Sequence, residues 1–133
     1  MSDPVAYVST YRIKPGKFDE YKRFYDQLAK IVEENEPRLT AFLTFANDDF
    51  TEITNVHVFA DSATLDSHMD VLGEKMRLLP GDVSAVMRHL EPVRIEVFGT
   101  PRGKAAEMDK GLEDSGVPFS WKHRFLGGFT QPK

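Results

Sequence analysis

Histidine is the side chain best suited to moving a proton near neutral pH, and the chain has four, His57, His68, His89 and His123. His57 stands between Val56 and Val58, two residues after Asn55. A neutral imidazole there can take a proton from a phenol or an activated C–H, and Asn55 or Arg94 can steady the resulting enolate. The competing reading of His57 is structural, a partly buried histidine bonded across a subunit interface. His68 precedes Met69 in a helical stretch and can face the mouth of a pocket, although the favoured reading is a solvent-exposed helix residue.

No HExxH or HxH spacing links the histidines, so no metal site is expected. Asp48, Asp49 and Glu52 lack the calcium-loop pattern and read as turn residues. No GxGxxG, P-loop or GxSxG run is present, which leaves nucleotide binding and serine hydrolysis without a motif. Tyr7 and Tyr11 can position an aromatic ligand by stacking and hydroxyl contacts, or can pack at an interface. Arg94 and Glu96 can bind an anion and orient His57, although such a pair is more often a salt bridge at a solvated edge.

The elements that must position these groups follow from periodicity. Val5 to Ile13 is a β-branched and aromatic strand, broken by Pro15-Gly16. Phe18, Tyr21, Tyr25, Leu28 and Val32 recur at helical spacing, and Pro37 ends that helix. Thr40–Phe45 and Glu52–Ala60 flank Asn47-Asp48-Asp49 as an antiparallel hairpin. Ser62 suits the N-cap of a second helix with Leu65, Met69, Leu72, Met76 and Leu79 on its stripe, ended by Pro80-Gly81. A short helical piece over Asp82–Leu90 precedes a fourth strand, Val93–Phe98, opened by Pro92. The order strand, helix, strand, strand, helix, strand is the split βαβ of a ferredoxin-like fold. A domain over residues 1–100 is thus expected, with a C-terminal extension over 101–133.

In that extension, residues 102–116 are polar, with Ala105, Met108 and Leu112 at helical spacing. Phe119, Trp121, His123 and Phe125 then alternate like one face of a strand, which must join a sheet in its own subunit or a partner's.

Period-two reading puts Tyr7, Ser9 and Tyr11 on one face of the first strand, Ile53, Asn55, His57 and Phe59 on one face of the third, and Arg94, Glu96 and Phe98 on one face of the fourth. This mixed set has the composition of a ligand pocket. The aliphatic remainder, including Val8, Val56, Val58, Ile95 and Val97, is the expected partner of the two helices. A bare face rich in rings would then be covered by a second copy, which predicts a symmetric dimer enclosing the pocket.

The run Tyr11-Arg12-Ile13-Lys14-Pro15-Gly16-Lys17 before an amphipathic helix resembles the opening of the antibiotic-biosynthesis-monooxygenase family. Val58-Phe59-Ala60-Asp61-Ser62-Ala63-Thr64-Leu65-Asp66-Ser67-His68 is similar to that family's third strand entering its second helix. The resemblance covers about residues 5–98 and implies a dimeric α+β barrel in which two ferredoxin-like sheets meet face to face. It also implies a small-molecule pocket between sheet and helices in each subunit. The family's heme-degrading branch carries asparagine, tryptophan and a helical histidine where this chain has Ser9, Phe59 and no histidine near Met76–Leu79, so heme degradation is not expected.

With 133 residues, 41% hydrophobic and 29% charged, the composition is that of a globular protein able to bury a core. The formal charge of −4 gives no reason to expect nucleic-acid binding. No apolar run approaches a membrane span, and MSDPVAYV lacks the regions of a signal peptide, so a cytoplasmic protein is expected. The absence of cysteine excludes disulfides, thiolate metal sites and cysteine nucleophiles. The expected function is cofactor-independent, monooxygenase-like action on a hydrophobic or aromatic small molecule, with His57 and Asn55 catalytic and Tyr7, Ser9, Tyr11, Phe59 and Arg94 binding substrate. The alternative is a non-catalytic small-molecule-binding or stress-related dimer.

Overall fold

The computed structural model describes residues 3–36, 39–75 and 88–131. Its elements run β1 (Val5–Ile13), α1 (Phe18–Asn35), β2 (Leu39–Ala46), β3 (Glu52–Phe59), α2 (Ser62–Lys75), β4 (Leu90–Phe98), α3 (Gly103–Asp114) and β5 (Phe119–Lys122). The strands form one mixed sheet in the order β2-β3-β1-β4-β5, antiparallel except for the parallel pair β4–β5. The first four are the ferredoxin-like arrangement, and α3 is the crossover that parallel pairing with β5 requires. The expected helix ends at Leu79 and over Asp82–Met87 lie outside the described residues.

Helix α1 begins after a turn in which Gly16 has φ +75°, and Asp19 and Glu20 occupy its first turn, the end of the dipole that favours negative charge. Helix α2 is capped by Asp61 rather than by Ser62. The Asp61 Oδ1 accepts from the Thr64 N–H at 2.7 Å, and its carbonyl accepts the first helical bond, from Leu65. A carboxylate one residue earlier reaches the third amide beyond it, which is the reach an N-cap needs.

The strand faces are ordered differently from the periodicity reading. β1 places Val5, Tyr7, Ser9, Tyr11 and Ile13 on one side, and opposite them β4 brings Val97, Ile95 and Leu90. That side packs against the helices: Tyr11, Ile13, Ile53 and Leu90 form one core cluster with Tyr21 and Tyr25 of α1, while Val5 and Phe59 cluster with Leu65 and Met69 of α2. The helices therefore cover the ring-bearing face, and Val8, Val56 and Val58 lie on the other. Burying Tyr11, Phe59 and Ile53 removes far more apolar surface from water than burying alanines and valines would.

Two single-residue bulges enforce this sorting. Leu90 and Ile95 are five positions apart and would face opposite sides of a regular strand. Tyr11 pairs with Pro92 and Thr10 with Arg94, so Val93 is the extra residue and both Leu90 and Ile95 turn inward. The bulge also absorbs a proline inside β4, which therefore starts at Leu90 rather than after Pro92. In β2 the register shifts between Leu39 and Ala41, which puts Leu39 beside Phe59 and Phe42 beside His57 on the same side.

β5 returns to its own chain. Phe119 and Trp121 pair with Ile95 and Val97 and pack with Leu112 and Met108 of α3. The ladder stops at Lys122, short of the full aromatic alternation, and Phe125 and Leu126 beyond it are exposed. Among the described residues, no helix is long and apolar enough to cross a membrane.

Gly99, at the end of β4, has φ +91°, and a Cβ there would lie 2.5 Å from the backbone oxygen of Pro4. Gly16 has positive φ but open space around it. Gly16→Ala should cost about 1 kcal/mol for backbone strain alone. Gly99→Ala should cost about 3 kcal/mol, because backbone must also move. Urea unfolding of the two variants measures the difference, and equal losses would contradict it.

Candidate functional site

Between the sheet and its three helices lies a cavity of about 160 Å³. β1 contributes Tyr7, Ser9 and Tyr11 to its wall, and β3 contributes Asn55, His57 and Phe59. Strand alternation places these two triplets on the same side, and the register pairs Tyr7 with His57, Ser9 with Asn55, and Val5 with Phe59. The helices close the other side with Tyr21 and Tyr25 from α1, His68 and Met69 from α2, and Met108 and Asp109 from α3.

Arg94 is not part of this wall. It pairs with Thr10 on the opposite face of the sheet, its side chain is 54% exposed, and its Nε lies 3.6 Å from Glu96. The register of β4 on β1, set by the bulge, decides its side.

His57 is held by groups of its own chain. Its Nε2 shares a hydrogen bond of 3.0 Å with the Tyr25 hydroxyl, and its ring stacks on Phe42 with centroids 3.9 Å apart. Burial pushes its pKa down to about 3, with a smaller push in the same direction from His68. The imidazole is neutral throughout the physiological range, and a base that weak is poorly matched to proton abstraction at neutral pH. Asn55 accepts from the Tyr21 hydroxyl through Oδ1 at 3.1 Å, which turns its amide nitrogen into the end that can donate to a ligand. Burial raises the tyrosines, Tyr11 and Tyr21 to about 12, so they act as hydrogen-bonding groups and not as bases.

Three residues of the site escaped the favoured sequence reading: His68 and Asp109 in the wall and Glu36 behind it. His68 is buried, only 5% exposed, and its Nδ1 lies 2.7 Å from the Glu36 carboxylate. Glu36 follows the last residue of α1, and nothing in the spacing of residues 36 and 68 announces the pair. The expectation that His68 is solvent-exposed fails because α2 is rotated to put Thr64, Leu65, His68 and Met69 inward. Asp109 is the third. It is 2% exposed and accepts a short hydrogen bond from the Tyr7 hydroxyl. Here a signal was present, since Asp109 shares the stripe of Ala105, Met108 and Leu112 at i+4, i+1 and i−3. Burial raises its carboxyl to about 6, against the lowering effect of the Tyr7 bond.

Among the described residues, no group of histidine or acidic side chains could hold a metal ion. The wall is instead lined with rings and carries four polar stations: Asn55, His57 with Tyr25, His68 with Glu36, and Asp109 with Tyr7. Such an arrangement can hold a small apolar ring and exchange protons or hydrogen bonds with one or two oxygens on it.

Sheet order, helix placement and cavity together define the ferredoxin-like α+β fold of antibiotic biosynthesis monooxygenases. The chain is similar to MupZ from Pseudomonas fluorescens, with a TM-score of 0.65 and 18% identity over 98% of this chain and 97% of that one. It is also similar to SnoaB, a cofactor-independent oxygenase from Streptomyces nogalater, with a TM-score of 0.57 and 13% identity over 77% of this chain and 97% of that one. A protein from Caulobacter crescentus classed with the antibiotic biosynthesis monooxygenases gives a TM-score of 0.57 and 20% identity over 72% of this chain and 88% of that one. No protein-family profile matches the chain. No curated protein matches it by sequence.

Two buried titratable groups of the wall, His57 and Asp109, have opposite effects on stability. His57 titrates at 6.5 unfolded and about 3 folded, so its contribution is full above 6.5 and falls as pH drops toward 3. Asp109 titrates at 3.8 unfolded and about 6 folded, so its contribution is full below 3.8 and lost as pH rises through 6. From about pH 6 down to pH 4 the slopes oppose each other. Acidification across that window should therefore stabilise His57→Gln and destabilise Asp109→Asn, each by up to about 1.4 kcal/mol per pH unit relative to the parent. Urea titrations at several pH values test this, and three parallel curves would contradict it.

Proposed function

We propose that the protein is a cofactor-independent, monooxygenase-like enzyme acting on a small hydrophobic or aromatic molecule held in the cavity. The observation that carries this reading is a ring-lined cavity into which a few polar groups converge. An apolar cavity of about 150 Å³ is enough for benzene, so the 160 Å³ here suits a single ring better than a polycycle. Tyr7, Ser9, Tyr11 and Phe59 frame that ring, and the Asn55 amide donates to the oxygen on which charge develops when a proton is lost. We assign His57 a neutral, orienting role through Tyr25. Arg94, on the outer face, takes no part.

In the overall change O₂ converts a ring carbon of the phenol, a CH₂ in its keto tautomer, into a carbonyl. One oxygen atom enters the substrate, and the other leaves as water with the two hydrogens. All four electrons come from the ring carbon and its two C–H bonds.

The reading includes a homodimer. The sheet face opposite the helices carries Val8, Val56 and Val58, and beside them on β2 Leu43 is 46% and Phe45 59% exposed. A second copy of the same face would cover this apolar surface and leave each cavity inside its own subunit. Native mass spectrometry should show a dimer, and Phe45→Glu should shift it to monomer without altering the helical circular dichroism. A monomeric parent protein would refute the pairing.

Calorimetry and an oxygen electrode test the chemistry with a panel of one-, two- and three-ring phenols and hydroquinones. Single-ring members should bind one per chain and at least one should consume oxygen, with the rate falling ten- to a hundredfold in Asn55→Ala. Binding throughout the panel without oxygen uptake would replace this reading with that of a non-catalytic binding protein.

A further inference from the structure

The cavity holds two imidazoles in different situations. His57 has Nε2 engaged by Tyr25 and its ring clamped on Phe42. His68 has Nδ1 engaged by Glu36, and its ring is held between Phe42 and Phe59 at centroid distances of 5.6 and 5.2 Å. Both members of the His68–Glu36 pair are buried, with side chains 7% and 4% exposed. Glu36 Oε1 is buried without a hydrogen-bond partner among the described residues. Burying a carboxylate with half its acceptors unfilled is costly. A carboxylate on Nδ1 does have a well-defined effect: it fixes the proton there and leaves Nε2 as the basic nitrogen of a residue that lines the cavity.

We infer that His68 is the proton acceptor of this cavity and Glu36 its positioning residue, so that the ligand is a small ring bearing an acidic O–H or C–H, bound as its anion. This rests on the ligand-site reading above and names the ligand's chemistry. The proton leaves the ligand for His68 Nε2, and the electron pair of the broken bond stays on the ligand oxygen or carbon. The imidazolium so formed lies between two anions, Glu36 on one side and the ligand on the other, and the net charge of the enclosure is unchanged. The other titratable groups facing that space are His57 on β3, held neutral, Asp109 with Tyr7 at the α3–β1 wall, Tyr11 on β1, and Tyr21 and Tyr25 on α1. Asn55, donating through its amide, is the second group able to hold the anion.

The probe is para-nitrophenol, whose anion absorbs in the visible and whose neutral form does not. In the parent protein the bound probe should ionise at a pH at least one unit below the free probe, a tenfold gain in ionisation constant. His68→Gln should return it to the free value, and Glu36→Gln should give an intermediate value. Nitrogen-15 NMR of the parent protein provides a measurement that needs no variant: His68 should carry its proton on Nδ1 when unliganded and become doubly protonated when the probe binds. A merely structural role for Glu36 would leave both readings unmoved. Probe bound in its neutral form, or an anion signal that persists in His68→Gln, overturns this inference and leaves the ligand site standing. No uptake of any ring-bearing probe overturns the ligand site and the inference together.

Discussion

Burial of Tyr11, Ile53, Phe59, Ile95 and Val97 beneath three helices is the constraint on which the rest of the molecule depends. These side chains come from three neighbouring strands and reach the same side only because the strand period is kept in phase from one to the next. Where the sequence would slip out of phase, a bulge corrects it, at Val93 in β4 and between Leu39 and Ala41 in β2. Large rings on the sheet meet large rings on α1, such as Tyr21 and Tyr25, and bulky groups meeting across an interface leave space between them. The cavity is a consequence of that packing as much as a separate feature.

The same burial sets the electrostatics. Removing water lowers His57 and raises Asp109 and the four cavity tyrosines, each toward its uncharged form. Polar groups survive there because each has a partner: Tyr25 for His57, Tyr21 for Asn55, Tyr7 for Asp109, Glu36 for His68. Tyrosine is the common partner because its ring belongs to the core while its hydroxyl serves the polar group beside it. Wall and core are thus built from the same side chains.

The segment after β4 is integral to this arrangement. α3 brings Ala105, Asp109 and Leu112 onto the sheet, and β5 covers Ile95 and Val97 through Phe119 and Trp121. Lys104 pairs with Asp70 and its amide bonds to Asp66, which ties α3 to α2. Among the described residues, the outer face of the sheet receives no comparable cover, and its exposed Leu43 and Phe45 mark the difference.

Local patterns were enough to read the order and type of the first elements. β1, α1 and the β2–β3 hairpin follow from the alternation of Val5–Ile13, the spacing of Phe18 to Val32 and the turn at Asn47-Asp48-Asp49, all interactions among residues close in sequence. Alternation likewise grouped Tyr7, Ser9 and Tyr11 with each other, and Asn55 with His57 and Phe59. It could not say which group faces the helices, nor how β4 stands relative to β1, because a period of two fixes sides only within a strand. The bulge at Val93 therefore decided that Arg94 points away and Ile95 inward. Asp109 sits on a legible stripe, but an acidic residue argues against burial until a partner such as Tyr7 is known. The His68–Glu36 pair could not be read from sequence at all, because it is made by the packing of two helices. Sequence determined what each segment is; long-range registry and helix packing, which depend on residues far apart in the chain, decided what each side chain meets.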